Sequence, residues 1–255
     1  MTVRELYSLL DERIPSSLSC EWDNDGLMCC PDGDRQVRRV LVALDVTDRV
    51  VRTAIEEGYD LILSHHPFLF KGLRAVDEEN YIAAKAIDLI REGISVMSFH
   101  TRLDAVEGGV NDVLAEILGL NEVRPLLCHG EAMARLGELE YETDLMTFAG
   151  TVKRALGAPF VSVADAGRRV KRVAVLGGKG GPEIEAARQA GADTFLSGEV
   201  GYNTMADAPE QGINLITAGH FYTEDPVCEM LADLVCELDE TVICDVIDSN
   251  GIEAI

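Results

Sequence analysis

A stretch of 26 residues occurs twice in this chain of 255. Arg39 to Ser64 (RVLVALDVTDRVVRTAIEEGYDLILS) aligns without a gap on Arg172 to Ser197 (RVAVLGGKGGPEIEAARQAGADTFLS), at an offset of 133 with 8 identical positions. Each copy reads as an apolar strand, a helix closed by glycine, and a second apolar strand. The first copy runs into His65-His66-Pro67 and the second into Gly198-Glu199. Each is followed by a strand-like segment ending in His-x-x-x-acid, His100 to Asp104 in the first half and His220 to Glu224 in the second. A duplicated fold that delivers His and carboxylate groups from matching strand ends points to a metal site in the cleft between two related lobes.

The remaining segments extend this order. Thr2 to Glu12 has helical spacing with Thr2 as N-cap. Leu27 to Cys30 reads as a short strand, Tyr81 to Glu92 as a helix and Ile94 to Phe99 as a strand. Val110 to Leu118 and Asp144 to Leu156 read as helices, Phe160 to Val163 as a strand. Ile213 to Ala218 forms a strand, Pro226 to Leu238 a helix, and Thr241 to Ile247 a last strand. Alternating strands and helices imply an α/β fold with parallel pairing and helices on the sheet faces. In such sheets, sites form beyond the carboxyl ends of strands, where every one of the histidine motifs falls. The stretch Pro125 to Thr143 reads as the junction, giving domains at 1–125 and 126–255.

Composition narrows the function classes. The net charge of −23 repels phosphate backbones and argues against nucleic-acid binding. With many carboxylates and only five lysines, the surface suits a salt-rich cytosol or, equally, an ordinary acidic enzyme. No apolar run reaches the length that spans a bilayer, and the acidic, amphipathic start does not read as a secretory signal. Seven cysteines without a C-x-x-C pair fit reduced thiols and a cytoplasmic protein. Cys29-Cys30 reads as apolar packing rather than a redox pair.

Four of the five histidines lie in the strand-end motifs. Adjacent side chains on an extended strand point to opposite sides, so His65 and His66 would serve two neighbouring ions, one each. The i, i+4 spacing of His100–Asp104 and His220–Glu224 brings each pair to one side of a turn. Imidazole with carboxylate suits zinc, iron, manganese or nickel. Asp104, His220 and Glu224 are candidate ligands, and Glu224 is the candidate to bridge two ions. His100 either joins the ligands or orients one of them. Glu199 stands where His66 stands in the first copy, and is either a proton carrier or substrate contact facing the cleft, or a solvated strand-end acid. Gly177-Gly178-Lys179-Gly180-Gly181-Pro182 reads as a strand-to-helix loop, either a phosphate cradle or a tight turn. His129 reads as structural or exposed.

The set WDNDGL (22 to 27), SHHP (64 to 67), HTRLD (100 to 104), SGE (197 to 199) and GHFYTE (219 to 224) resembles the GTP cyclohydrolase I type 2 family, also called the Nif3-like dinuclear metal centre hexameric proteins. The resemblance covers nearly the whole chain. It implies two similar α/β/α domains, a two-metal site in their cleft and a homohexamer. Its ligands would be His65, His66, Asp104, His220 and Glu224, with Glu224 bridging and His100 as a neighbour. Arg102 and Asn203 depart from the family pattern. The activity implied is hydrolytic opening of the guanine imidazole ring of GTP with release of formate, His100 or Glu199 moving protons and Arg102 or the glycine loop holding the triphosphate. A phosphoesterase acting on another nucleotide, or a metal-binding scaffold without turnover, would use the same parts.

Overall fold

The computed structural model describes residues 1–128 and 130–253. The expectation for His129 lies outside the described residues. The chain divides into two compact units, Met1–Val106 with Val227–Glu253, and Glu107–Pro226.

The first unit opens with α1 (Val3–Arg13), whose N-cap Thr2 forms a reciprocal capping box with Glu5. There follow β1 (Gly26–Cys29), β2 (Arg39–Ala43), α2 (Asp48–Glu57), β3 (Leu61–Ser64), α3 (Tyr81–Glu92), β4 (Ser95–Ser98) and the one-turn α4 (Thr101–Ala105). The sheet order is β1-β4-β3-β2, and β1 is its only antiparallel member among the described residues. The second unit holds α5 (Val110–Ile117), β5 (Asn121–Cys128), β6 (Glu131–Thr143), α6 (Leu145–Ala155), β7 (Ser162–Ala164), β8 (Val170–Lys179) and α7 (Ile184–Gln189). It continues with β9 (Thr194–Glu199), α8 (Tyr202–Asp207), β10 (Asn214–Thr217) and the one-turn α9 (His220–Glu224). Its sheet order is β5-β6-β8-β9-β10-β7, with β8, β9 and β10 parallel. The chain then returns to the first unit as α10 (Val227–Leu238) and β11 (Ile243–Val246).

The repeat is reproduced to the residue. Val40 pairs with Leu61 and Ala43 with Ser64, while Val173 pairs with Thr194 and Leu176 with Ser197, the same register displaced by the sequence offset. An aspartate common to both copies explains part of this. The Asp60 carboxylate accepts from the backbone N–H groups of Arg38 and Arg39 at 2.9 and 3.1 Å. The Asp193 carboxylate accepts from those of Lys171 and Arg172 at 2.9 and 2.7 Å. Each aspartate thereby ties the start of one strand to the start of its neighbour. Alternate residues of the second sheet face different clusters: Val173, Val175 and Leu196 in one, Ala174, Leu176 and Phe195 in the other. Both faces are therefore covered, since successive side chains of a strand point to opposite faces.

Four expectations are corrected. The stretch Pro125 to Thr143 is not a junction: it lies in the antiparallel hairpin β5–β6, on the edge of the second sheet. Its pattern is broken by Arg135, which is buried in a two-armed ion pair with Asp112 at 2.8 Å and so places a charge where a strand pattern calls for an apolar residue. The division at 1–125 and 126–255 differs from that observed. Helix α10 packs on α1 and β2, and β11 extends the first sheet beside β2. The expected parallel pairing holds for β2, β3 and β4 and for β8, β9 and β10, but each sheet also has antiparallel members, β7 running antiparallel to β10. Finally, Gly177, Gly178 and Lys179 continue strand β8 instead of forming a loop.

Candidate metal centre

Strand β3 ends at Ser64, and in the bend that follows the Ser64 hydroxyl donates to the His66 carbonyl at 2.9 Å. The bend overturns the expectation that His65 and His66 point apart. Their ring centroids lie 5.0 Å from each other, and that of His100 lies 5.3 and 5.8 Å from them. One ring nitrogen of each histidine falls within 4.8 Å of those of the other two.

The three imidazoles share a hydrogen-bond pattern. His65, fully buried, donates from Nδ1 to the Phe99 carbonyl at 2.9 Å. His66 donates from Nδ1 to Asp45 at 2.7 Å, and His100 from Nδ1 to Asp23 at 2.9 Å. A carbonyl or carboxylate oxygen accepts, so Nδ1 holds a hydrogen in each ring, and in the neutral imidazole the lone pair is then on Nε2. That tautomer is the one in which an imidazole ligates through Nε2, with ring orientation set by the partner of Nδ1. His65 Nε2 lies 3.8 Å from the buried Asp104 carboxylate, on α4. The donor chemistry fits a borderline divalent cation.

The WDNDGL loop builds the turn that carries His100 and Asp104. Asp23 accepts from His100 Nδ1, from the Thr101 N–H at 3.1 Å and from the Thr101 hydroxyl at 2.6 Å. Burial alone would raise the Asp23 pKa, but these hydrogen bonds and the adjacent imidazole hold it well below the usual carboxylate range. Asp25 accepts from the His100 N–H at 3.1 Å and from Arg102 Nε at 3.1 Å. Arg102 is fully buried, also pairs with Asp11 at 2.6 Å, donates to the Ile14 carbonyl at 3.0 Å, and stacks 4.4 Å over Phe99. It therefore locks the turn in place rather than reaching for a triphosphate.

In the second unit, β10 ends ahead of Gly219, the N-cap of α9. His220 Nε2 lies 2.9 Å from the Glu224 carboxylate, and its Nδ1 lies 3.4 Å from Glu199. Glu224 is 5% exposed, while the Glu199 side chain is 57% exposed, so only the former is placed as a buried ligand would be. The two His-x-x-x-acid motifs are out of step by one residue. His100 is the N-cap of α4, whereas His220 is the first residue of α9.

Two glycines hold this turn against the sheet. A Cβ on Gly198 would sit 2.5 Å from the Gly178 carbonyl oxygen and 2.7 Å from Thr223 Oγ1, and one on Gly178 would sit 2.1 Å from Glu224 Oε1. The N–H groups of Gly177, Gly178 and Gly180 donate to Asn111, Thr223 and the Glu199 carbonyl at 2.8, 3.1 and 3.2 Å. These three amides serve internal contacts, which overturns the phosphate-cradle reading for them. Sequence reasoning also missed Asp23 and Asp45, because the residues they orient lie 77 and 21 positions away. The first of them falls in the WDNDGL motif, which was the available signal. Burial pushes the Cys29 thiol up to about 11, in keeping with packing rather than redox use. Among the described residues no helix is long and apolar enough to cross a membrane.

This arrangement has relatives. The chain is 33% identical over 248 residues to a Clostridium perfringens protein named GTP cyclohydrolase 1 type 2 homolog, covering 95% of this chain and 94% of that one. It superposes on the Staphylococcus aureus hypothetical protein SA1388 with a TM-score of 0.90, at 28% identity, covering 100% of this chain and 99% of that one. Reduced HcgD from Methanocaldococcus jannaschii matches with a TM-score of 0.83 at 26% identity, over 96% and 97% of the two chains. A family model described as Duf34/NIF3 (NGG1p interacting factor 3) matches residues 1–251, and the chain belongs to that family.

Proposed function

We propose that the protein is a metal-dependent hydrolase of the GTP cyclohydrolase I type 2 kind, in which His65, His66, Asp104, His220 and Glu224 hold two divalent ions of zinc, iron, manganese or nickel. The observation that carries the reading is the clustering of His65, His66 and His100, with one ring nitrogen of each within 4.8 Å of the others and each Nδ1 held by an acceptor. Such ions, when bound, supply Lewis-acid polarisation and a water of lowered pKa. The residues around them do the rest. Asp45 and the Phe99 carbonyl fix the rings of His66 and His65. Asp23 holds His100 where its imidazole exchanges a proton with a reacting group. Glu199, exposed and beside His220, is a second proton carrier. The reaction is hydrolytic opening of the guanine imidazole ring of GTP with release of formate. The family resemblance supports a homohexamer, and the odd number of cysteines without a C-x-x-C pair supports a cytoplasmic setting.

Metal-loaded protein should release formate from GTP, and Glu224→Ala should abolish that release while the far-UV circular dichroism is unchanged. Turnover at the wild-type rate in this variant would sink the mechanism. A protein that carries its full metal content yet releases neither formate nor phosphate from GTP would be a binding scaffold.

A further inference from the structure

Beside His66 the first unit contains a cavity of about 580 Å³ that the metal-binding residues do not account for. Its volume falls in the range of small-molecule pockets, which combine apolar walls with a few placed polar groups. The walls are Phe68, Phe70 and Tyr81, and the polar groups include Lys71 and Lys85. The chain has only five lysines among 255 residues, and two of them line this one cavity, together with Asp45 and Asp48.

The carboxylates at the rim are already engaged. Asp45 accepts from His66 at 2.7 Å, and Asp48 pairs with Arg52 at 2.8 Å. Lys85 is half-buried, with Nζ 5.5 Å from the Phe68 ring centre and 5.7 Å from that of Tyr81, and it donates to the Val46 carbonyl. Burial lowers its pKa, against the opposing pull of Asp48 and Asp45. An anion arriving at this half-buried amine would form a charge-assisted hydrogen bond with it.

At the other side of Phe70 stands an aromatic platform. Phe70 and Trp22 are 44% and 64% exposed, meet edge to face at 6.2 Å, and stand 6.1 and 6.2 Å from the His100 ring. Large aromatic rings held in water beside a histidine cluster offer a face to a flat ligand.

We propose that this cavity is the recognition pocket for a phosphorylated planar heteroaromatic ligand, of the nucleotide class, with its ring on Phe70 and Trp22 and its phosphates at Lys71 and Lys85. The ring then lies beside His100. The assignment deepens the hydrolase reading and rests on it for the reaction, while the binding stands apart from turnover.

Isothermal titration of the full-length, metal-loaded protein with GTP and with guanosine tests it. The Lys71→Ala/Lys85→Met double variant should weaken GTP binding by about tenfold or more, with guanosine binding unchanged. Phe70→Ala should weaken both ligands by about tenfold. Lys85→Arg keeps the charge and should restore most of the GTP affinity to the Lys85→Met protein. Lys71→Ala and Phe70→Ala change exposed side chains, so they carry the test even where Lys85→Met fails to fold. Equal GTP affinity in wild type and these variants, or no binding of GTP to the wild type, overturns the pocket. Lysine-dependent GTP binding without formate release keeps the pocket and overturns the hydrolase reading. Formate release with an unchanged KM in the variants does the reverse.

Discussion

Asp45 and Asp23 touch the clustered histidines without belonging to them, and their effect runs through the proton on Nδ1. With its carboxylate 2.7 Å from His66, Asp45 selects the tautomer whose Nε2 can ligate and raises the basicity of that nitrogen. Its side chain is 44% exposed, so its removal leaves the core intact. Asp45→Ala should lower metal affinity by about 10–100-fold, read by competition with a chromogenic chelator, with the unfolding midpoint of the metal-free protein little changed. Unaltered affinity would show that the imidazole is oriented by packing alone. Arg102 illustrates the opposite case, a charge that serves structure. Its partners Asp11 and Asp25 come from segments 91 and 77 residues earlier, and nothing in the local pattern HTRLD indicates that its guanidinium is withdrawn from solvent.

The strand ends and one-turn helices show how the duplicated element was put to different use. In both units an apolar strand is followed by a tight helical turn that carries an acid, Asp104 or Glu224. The second turn lies so close to β8 and β9 that only glycine fits at the contact. Gly198→Ala should destabilise the second unit by about 1–3 kcal/mol through overpacking, measured by urea denaturation, because the atoms in the way include the backbone oxygen of Gly178. A loss below a few tenths of a kcal/mol would mean that α9 shifts freely. Helix α2 was legible as a helix closed by glycine, since its cap Thr47 and its terminal Gly58 in the left-handed conformation are signals carried by the segment itself. The hairpin β5–β6 was not, because Arg135 interrupts the apolar pattern and its compensation, Asp112, sits on a different element.

Charge acts on the molecule as a unit. A net charge of −23 on 255 residues sets up self-repulsion that dissolved salt screens. The thermal midpoint of the metal-free protein should rise between dilute buffer and 1 M sodium chloride, measured by scanning calorimetry, and a midpoint that falls or stays fixed would show that ion pairs such as Arg102–Asp25 outweigh the repulsion. The chain alone determined the duplication, the alternation of strands and helices, and which histidines and acids stand at strand ends. Those are properties of short windows, governed by backbone preference, capping and the two periodicities of side-chain direction. The tertiary structure decided that α10 and β11 return to the first unit. It decided that His65 and His66 turn together, that Asp23 meets His100, and that the glycine amides are spent inside the protein. Each of these depends on a partner distant in the chain, and which distant groups meet is settled by the burial of whole faces and the satisfaction of buried polar atoms, neither of which is written in any single segment.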